Sequence, residues 1–483
     1  LQELLYAVRF RVVVKYLGQL CIALAFLAAV PTVVALAWGD YLFALRFLGV
    51  TTLVGLLGLL SRIRAPTDVQ MNEALVIIAL MFLLAPLVMT YPMMTDGLGF
   101  IDALFEATSG ITTTGLTTAA TVEDKSQAFL FARAWMQWFG GLGFIALSGV
   151  ILTHPGPAAK HLLDMRADEQ DLAGGTRARA RRVFRVYSAM TVVGFSILWL
   201  SGAGWYDGLL HVFAAVSTGG FSTHDASLAA FGGSVARGAV FVLFFAGALP
   251  AALYWRAYGG RWSSVAHDVQ LRGLLIGGTV VAAALLLSFP AGSGMSLGQR
   301  VGHSVAMAFS AQTTTGFSTI DPARIPAGGQ LVLIISMFIG GGIGSTAGGI
   351  KILRLLILFR VLQLALMRTA APRHAVVTAR LGGRRLESDE VREAMLVAGL
   401  FAAATMLSWL AFVYAGHEPL PSLFEVTSAV GTVGLSTGLS GPELESGLKL
   451  LLCADMVFGR LEALALLALI FPRTWIGNRR RSR

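Results

Sequence analysis

The chain has 483 residues, of which 55% are hydrophobic and only 13% charged, with a mean hydropathy of +0.71. A typical soluble domain carries about 25% charge, so an ordinary soluble enzyme is excluded and an all-α polytopic membrane protein is expected. The net charge of +10 does not call for a nucleic-acid partner, because in a membrane protein a basic excess collects in cytoplasmic loops. The two cysteines, Cys21 and Cys453, are too few for a disulfide framework or a zinc cage.

A span needs roughly 20 mostly apolar residues, and ten stretches qualify: 12–38, 42–60, 74–94, 127–153, 183–202, 235–257, 273–290, 329–365, 393–415 and 447–471. The first is too long for the core of a cleavable signal. Between later spans lie shorter apolar stretches, Leu98–Ile111, Asp207–Val216, Leu297–Thr313 and Pro421–Val430. They are too short to cross and too apolar for free loops, which fits re-entrant helices. Lys and Arg concentrate in 154–182, 351–392 and the tail after Arg473, whereas 203–234 and 416–446 carry none. That asymmetry puts both termini and the basic connections in the cytoplasm.

Four segments share one pattern: Thr113-Thr114-Gly115-Leu116-Thr117-Thr118, Thr218-Gly219-Gly220-Phe221-Ser222-Thr223, Thr314-Thr315-Gly316-Phe317-Ser318-Thr319 and Thr432-Val433-Gly434-Leu435-Ser436-Thr437. Each follows a short apolar helix, and the first and fourth also share Leu-Phe-Glu-x-Thr-Ser at Leu104–Ser109 and Leu423–Ser428. The chain therefore divides into a two-helix extension, 1–70, and four repeats, 71–165, 166–262, 263–370 and 371–483. Each repeat crosses twice, so all four face the same way, which implies a pseudo-fourfold axis along the membrane normal and not inverted repeats. Re-entrant helices ending at mid-membrane bring roughly half a negative charge each toward that axis. Glycine permits the positive φ that turns carbonyls inward, and a ring of carbonyls replaces a cation's hydration shell. No acidic residue lies within the four motifs, which argues against divalent cations. The competing explanation is that the glycines only form tight turns.

The run Gly340-Gly341-Gly342-Ile343-Gly344-Ser345-Thr346-Ala347-Gly348-Gly349 interrupts a span ahead of Lys351. It fails the phosphate-loop pattern, since Ile350 and not Gly precedes the lysine. So many glycines, each costing about 1 kcal/mol relative to Ala in a helix, cannot hold a rigid helix; close helix packing and a flexible blocking loop are the two explanations. Arg460 lies inside the last span, where an unpaired charge costs at least about 2.5–3.5 kcal/mol; Asp455 and Glu462 are its candidate partners. His211, His224 and His303 are scattered without metal-ligand spacing and are expected at interfaces or in a vestibule.

These motifs, with Trp138-Phe139-Gly140-Gly141-Leu142-Gly143, Gly344 to Lys351 and Gly459-Arg460-Leu461-Glu462, resemble the Trk/Ktr/HKT superfamily of potassium transporters over nearly the whole chain. The two leading spans make it most similar to the bacterial Trk-type potassium uptake subunit. The resemblance implies membrane–pore–membrane repeats, with Gly115, Gly220, Gly316 and Gly434 as filter glycines flanked by Thr113, Thr114, Thr218, Gly219, Thr314, Thr315, Thr432 and Val433. Family members with serine at the first of these positions are associated with sodium permeation, so Gly115 points to potassium. The resemblance further implies an intramembrane gate formed by the glycine loop and Lys351, with Arg460 facing the path beside it. It implies a homodimer in the bacterial inner membrane, resting on a cytosolic nucleotide-binding regulatory ring. Potassium is the implied substrate, and no bound cofactor is expected. A sodium or weakly selective pathway of the same architecture is the alternative.

Overall fold

The computed structural model describes residues 7–61, 63, 69–151, 176–290, 294–370, 372, 379–382, 384–462 and 464–476. Most of the basic connection 154–182 and the end of the arginine-rich tail lie outside them.

Two apolar helices, α1 (Phe10–Ala37) and α2 (Tyr41–Leu60), pack as an antiparallel pair. Four copies of one unit follow. The first is α3 (Met71–Met93), the short α4 (Phe100–Ile111) and α5 (Gln127–Ile151). The second is α6 (Thr176–Leu200), α7 (Trp205–Val216) and a bent pair, α8 (Ser234–Gly247) and α9 (Ala251–Tyr258). A five-residue helix, α10 (Trp262–Ala266), leads into the third: α11 (Val269–Ser288), α12 (Leu297–Gln312), α13 (Ala327–Phe338) and α14 (Ile352–Ala370). The fourth is α15 (Ser388–Tyr414), α16 (Pro419–Val430), α17 (Ser446–Arg460) and α18 (Leu464–Ile470), closed by α19 (Pro472–Trp475).

The short helices α4, α7 and α16 have 12 residues each and α12 has 16. At 1.5 Å per residue they reach about 18–24 Å, less than the roughly 30 Å hydrocarbon core. Their C-terminal halves are buried, Phe105 to Ile111 and Phe424 to Val430 for example, so they point into the protein. Each packs against both long elements of its own repeat and against the second long element of the repeat before it: α4 on α17, α7 on α5, α12 on α8, α16 on α13. The fourth repeat thus returns to the first and the ring closes. At that closure Phe105 and Leu116 share one apolar cluster with Phe401, Phe412, Val426 and Met456.

Three expected spans are broken. The stretch 235–257 bends by 99° between α8 and α9, where Pro250 lacks the N–H a continuous helix requires. The stretch 329–365 opens after α13 into a loop whose neck is a parallel pair of two-residue strands, β1 (Ile339–Gly340) and β2 (Ile350–Lys351). The stretch 447–471 ends its first helix at Arg460, and Glu462 follows at φ 51°. Six described helices are long and apolar enough to cross a membrane, and the bent pair would make a seventh. A small antiparallel hairpin, β3 (Arg380–Leu381) with β4 (Arg384–Arg385), precedes α15.

Candidate functional site

All four short helices stop in the same way. The third residue past the last helical residue donates back five positions and its predecessor donates back three: Thr114 N–H to Ser109 O (2.9 Å) and Thr113 N–H to Gly110 O (3.0 Å) in the first repeat. The equivalents are Gly219 to Ala214 and Thr218 to Ala215, Thr315 to Ser310 and Thr314 to Ala311, and Val433 to Ser428 and Thr432 to Ala429. This is the Schellman ending, whose left-handed residue is usually glycine. Here it is threonine each time: Thr113 (φ 53°), Thr218 (φ 52°), Thr314 (φ 53°) and Thr432 (φ 50°). A β-branched residue there is a true outlier, costing about 1–3 kcal/mol of the kind held at functional sites.

Two residues on, Gly115, Gly220, Gly316 and Gly434 also have positive φ, 76° to 96°, while the residue between does not. Alternation of this kind turns successive peptide groups to one side, whereas in a regular strand they alternate. The four glycines abut one another around a ring. A Cβ on Gly115 would collide with the Gly219 carbonyl, one on Gly220 with that of Thr315, one on Gly316 with that of Val433, and one on Gly434 with that of Thr114. Each repeat meets the next and the fourth meets the first. The Thr113 and Thr432 hydroxyls are buried with no hydrogen-bond partner among the described residues. The second repeat differs: Gln137 of α5 donates from Nε2 to the Gly219 carbonyl (2.6 Å) and accepts at Oε1 from the Phe221 N–H (3.1 Å). Gln137 carried no sequence signal, since it belongs to none of the repeated motifs.

The glycine-rich loop lies against this ring on the side of the short helices' C-termini. Gly348 N–H donates to Thr314 Oγ1 (2.7 Å), and a Cβ on Gly348 would run into Thr432 Oγ1. Thr346 Oγ1 donates to Val216 O (3.2 Å) and Gly247 O (2.8 Å), while Gly342 N–H takes Ala248 O (2.9 Å). Ser345 closes a turn onto Gly342 O (2.7 Å), and the Gly344 carbonyl accepts from Ala251 N–H (3.3 Å). Gly341 O accepts from Ile352 N–H (3.1 Å), and Gly340 sits so near Gly348 and Gly349 that neither backbone leaves room for a side chain. The loop therefore touches elements of repeats two, three and four.

Arg460 is fully buried and donates from Nη1 to Thr346 O (2.7 Å), its guanidinium lying over the Phe144 ring at 4.1 Å. Its expected carboxylate partners are elsewhere. Asp455 faces α15 and accepts from Ser408 Oγ (2.9 Å), and Glu462 pairs with Arg354 (2.6 Å) and more distantly with Lys351 (3.9 Å). The reason is helical geometry: Asp455 looks toward its own repeat, and Glu462 lies past the break, where the chain has left the helix. Lys351 Nζ also donates to Ala347 O, and stands 5.2 Å from the Phe144 ring. Two of the three histidines are not loose vestibule residues. His211 Nε2 lies 3.0 Å from Ser222 Oγ and His303 Nδ1 lies 3.0 Å from Thr319 Oγ1, both just beyond a ring glycine. His224 does lie toward the surface, 3.4 Å from Glu123.

A family model described as TrkH, cation transport protein, matches residues 44–258 and 281–473. The chain is 31% identical to the Trk system potassium uptake protein TrkH of Escherichia coli K12, over 96% of this chain and 99% of that one. It is 27% identical to the uncharacterized cation transporter MJ1485 of Methanocaldococcus jannaschii, over 95% and 94%. The crystal structure of the potassium transporter TrkH from Vibrio parahaemolyticus superposes with a TM-score of 0.87 at 26% identity, covering 97% of this chain and all of that one. With the ring, the four repeats and these likenesses together, the chain belongs to the TrkH family of cation transport proteins and is a multi-pass membrane transporter, not an enzyme.

Proposed function

We propose that the chain carries potassium through the bacterial inner membrane along the ring axis. The four glycine segments form the filter, and the loop Gly340–Gly349, with Lys351 and Arg460, forms a gate on its cytoplasmic side. The observation that carries this reading is the closed ring in which each of Gly115, Gly220, Gly316 and Gly434 abuts the carbonyl before the next repeat's glycine. Backbone oxygens and threonine hydroxyls at such a ring offer uncharged oxygen ligands, suited to a monovalent cation, and the unpartnered Thr113 and Thr432 hydroxyls are ready to contribute. Relatives named as Trk potassium uptake proteins support potassium as the ion. The gate reading is supported by the loop's bonds to Thr314, Val216 and Arg460 directly under the ring.

In this reading both termini are cytoplasmic, two copies form a dimer, and a nucleotide-binding ring docks on the basic cytoplasmic connections. Uptake of potassium, rubidium, sodium and lithium by proteoliposomes tests it. Potassium and rubidium should pass well ahead of sodium and lithium; equal sodium and potassium flux would refute the selective filter and leave a weakly selective cation pathway.

A further inference from the structure

The Leu-Phe-Glu element shared by the first and fourth repeats has a place in the structure that neither the ring nor the loop accounts for. Its glutamate lies nine residues before the ring glycine, and the same offset in the four repeats holds Glu106, His211, Met307 and Glu425. All four side chains are fully buried. All four reach across to the segment just past the glycine. Glu106 Oε1 accepts from Thr117 Oγ1 (2.5 Å) and Thr118 N–H (2.9 Å). His211 bonds Ser222 Oγ (3.0 Å), and Met307 Sδ accepts from Thr319 N–H (3.5 Å). Glu425 Oε1 accepts from Ser436 Oγ (2.6 Å), Thr437 N–H (2.7 Å) and Thr437 Oγ1 (3.3 Å), and Oε2 accepts from Ser440 Oγ (2.9 Å).

The two carboxylates differ in charge balance. Glu106 is ion-paired with Arg133 at 2.8 Å, and that guanidinium lies 3.9 Å from the centre of the Phe221 ring. Glu425 has no basic partner among the described residues, and its four contacts are a backbone amide and hydroxyls. The Thr437 amide is an obligate donor while the hydroxyls can donate or accept, so an ionised Glu425 is a buried negative charge with no counterpart to the Arg133 that neutralises Glu106 in the first repeat. That charge bonds residues two and three past Gly434, within about 10 Å of it along the chain.

We propose that the residue nine before each filter glycine is a positioning residue for the filter's outer half, and that Glu425 adds an uncompensated charge that raises monovalent-cation occupancy there. The inference rests on the filter reading above. One unit charge about 10 Å from a bound cation, at an effective dielectric constant near 20, changes affinity on the order of tenfold. Hydroxyl and amide donors to Glu425 also fix where the outer carbonyls stand, so ion preference should change with affinity.

The test is initial uptake of potassium and sodium by proteoliposomes holding the full-length chain, its Glu425→Gln variant and its Glu425→Asp variant. The expected result is a KM for potassium raised about tenfold in E425Q, a smaller change in maximal rate and a narrower potassium-over-sodium preference, with E425D recovering part of each. An E425Q protein with wild-type KM and preference overturns the inference. If E425Q does not reach the membrane, Ser436→Ala decides: it removes one donor and leaves the charge, and a narrowed preference supports the positioning role while an unchanged one overturns it. A wild-type chain that passes both ions equally instead overturns the filter reading, so the two failures are distinguishable.

Discussion

Arg460→Ala tests the proposed gate most directly. Arg460 Nη1 holds the Thr346 carbonyl at 2.7 Å, and the guanidinium otherwise has the Phe144 face, with Nε and Nη2 making no hydrogen bond among the described residues. A hydrogen bond from a charged donor contributes roughly 1.5–3 kcal/mol, and each 1.4 kcal/mol is tenfold in an equilibrium. Losing it should therefore raise the open fraction of a mostly closed chain about 10- to 100-fold. A second effect has the same sign, because removing a fixed positive charge beside the path lowers the barrier to a passing cation. The desolvation cost of a buried guanidinium falls on both states wherever the side chain stays buried, so relieving it shifts the balance less than losing the bond. The assay is rubidium tracer uptake into proteoliposomes without a cytosolic partner, where the wild type is expected to be largely closed. Arg460→Lys, which keeps the charge but not the planar fork, should fall between wild type and R460A. Flux in R460A at or below wild type, with equal protein reconstituted, would refute the reasoning.

Deleting Gly340–Gly349 should also raise flux. Ile339 and Ile350 are register partners in the strand pair at the loop's neck, about 4.8 Å apart, so joining them requires closing only to the 3.8 Å of bonded neighbours; a deletion protein that is inserted yet carries no ions would count against a gate. Gly115→Ser should raise sodium uptake relative to potassium, because its Cβ collides with the Gly219 carbonyl and displaces the ring; unaltered selectivity would sink that assignment. Thr113→Gly should have opposite effects on stability and transport. It relieves a left-handed β-branched residue, a gain of about 1 kcal/mol visible as a higher unfolding midpoint, while removing a free hydroxyl and so lowering potassium uptake. A lower midpoint would mean that Thr113 is not strained.

The parts of this molecule that repeat were legible in the sequence, and the parts that depend on contact between repeats were not. Glycines and threonines in fourfold register mark Gly115, Gly220, Gly316 and Gly434 in the sequence, because the local geometry each needs is the same. The break at Pro250 was hidden in an apolar run, since hydropathy does not register a missing N–H. The partners assigned to Arg460 were misplaced because a seven-residue spacing puts Asp455 and Glu462 on one face only while the helix continues, and it ends at Arg460. Gln137 and His211 were missed as contacts of the glycine segments for another reason: Gln137 acts on a different repeat, and His211 occupies the glutamate position with a different chemistry.

The three broken spans explain one another. Helix α8 stops at Gly247 and frees carbonyls that a continuous helix would use internally. The Gly247 and Ala248 carbonyls are taken up by Thr346 and Gly342 of the loop. The loop in turn presents the Thr346 carbonyl, which Arg460 takes up at the end of α17. A break in repeat two, a break in repeat three and a break in repeat four thus satisfy each other beneath a ring whose upper part stays fourfold. The first repeat supplies no break at this level, since α5 runs through it, but it supplies Phe144, the ring face under Arg460. On the proposed reading, symmetry is kept where four equal carbonyl strands meet an ion, and given up where a single loop closes one path. Moving that loop costs the bonds at all three breaks together, so if the loop is the proposed gate its opening is a concerted event tied to whatever displaces α8, α14 or α17 from outside.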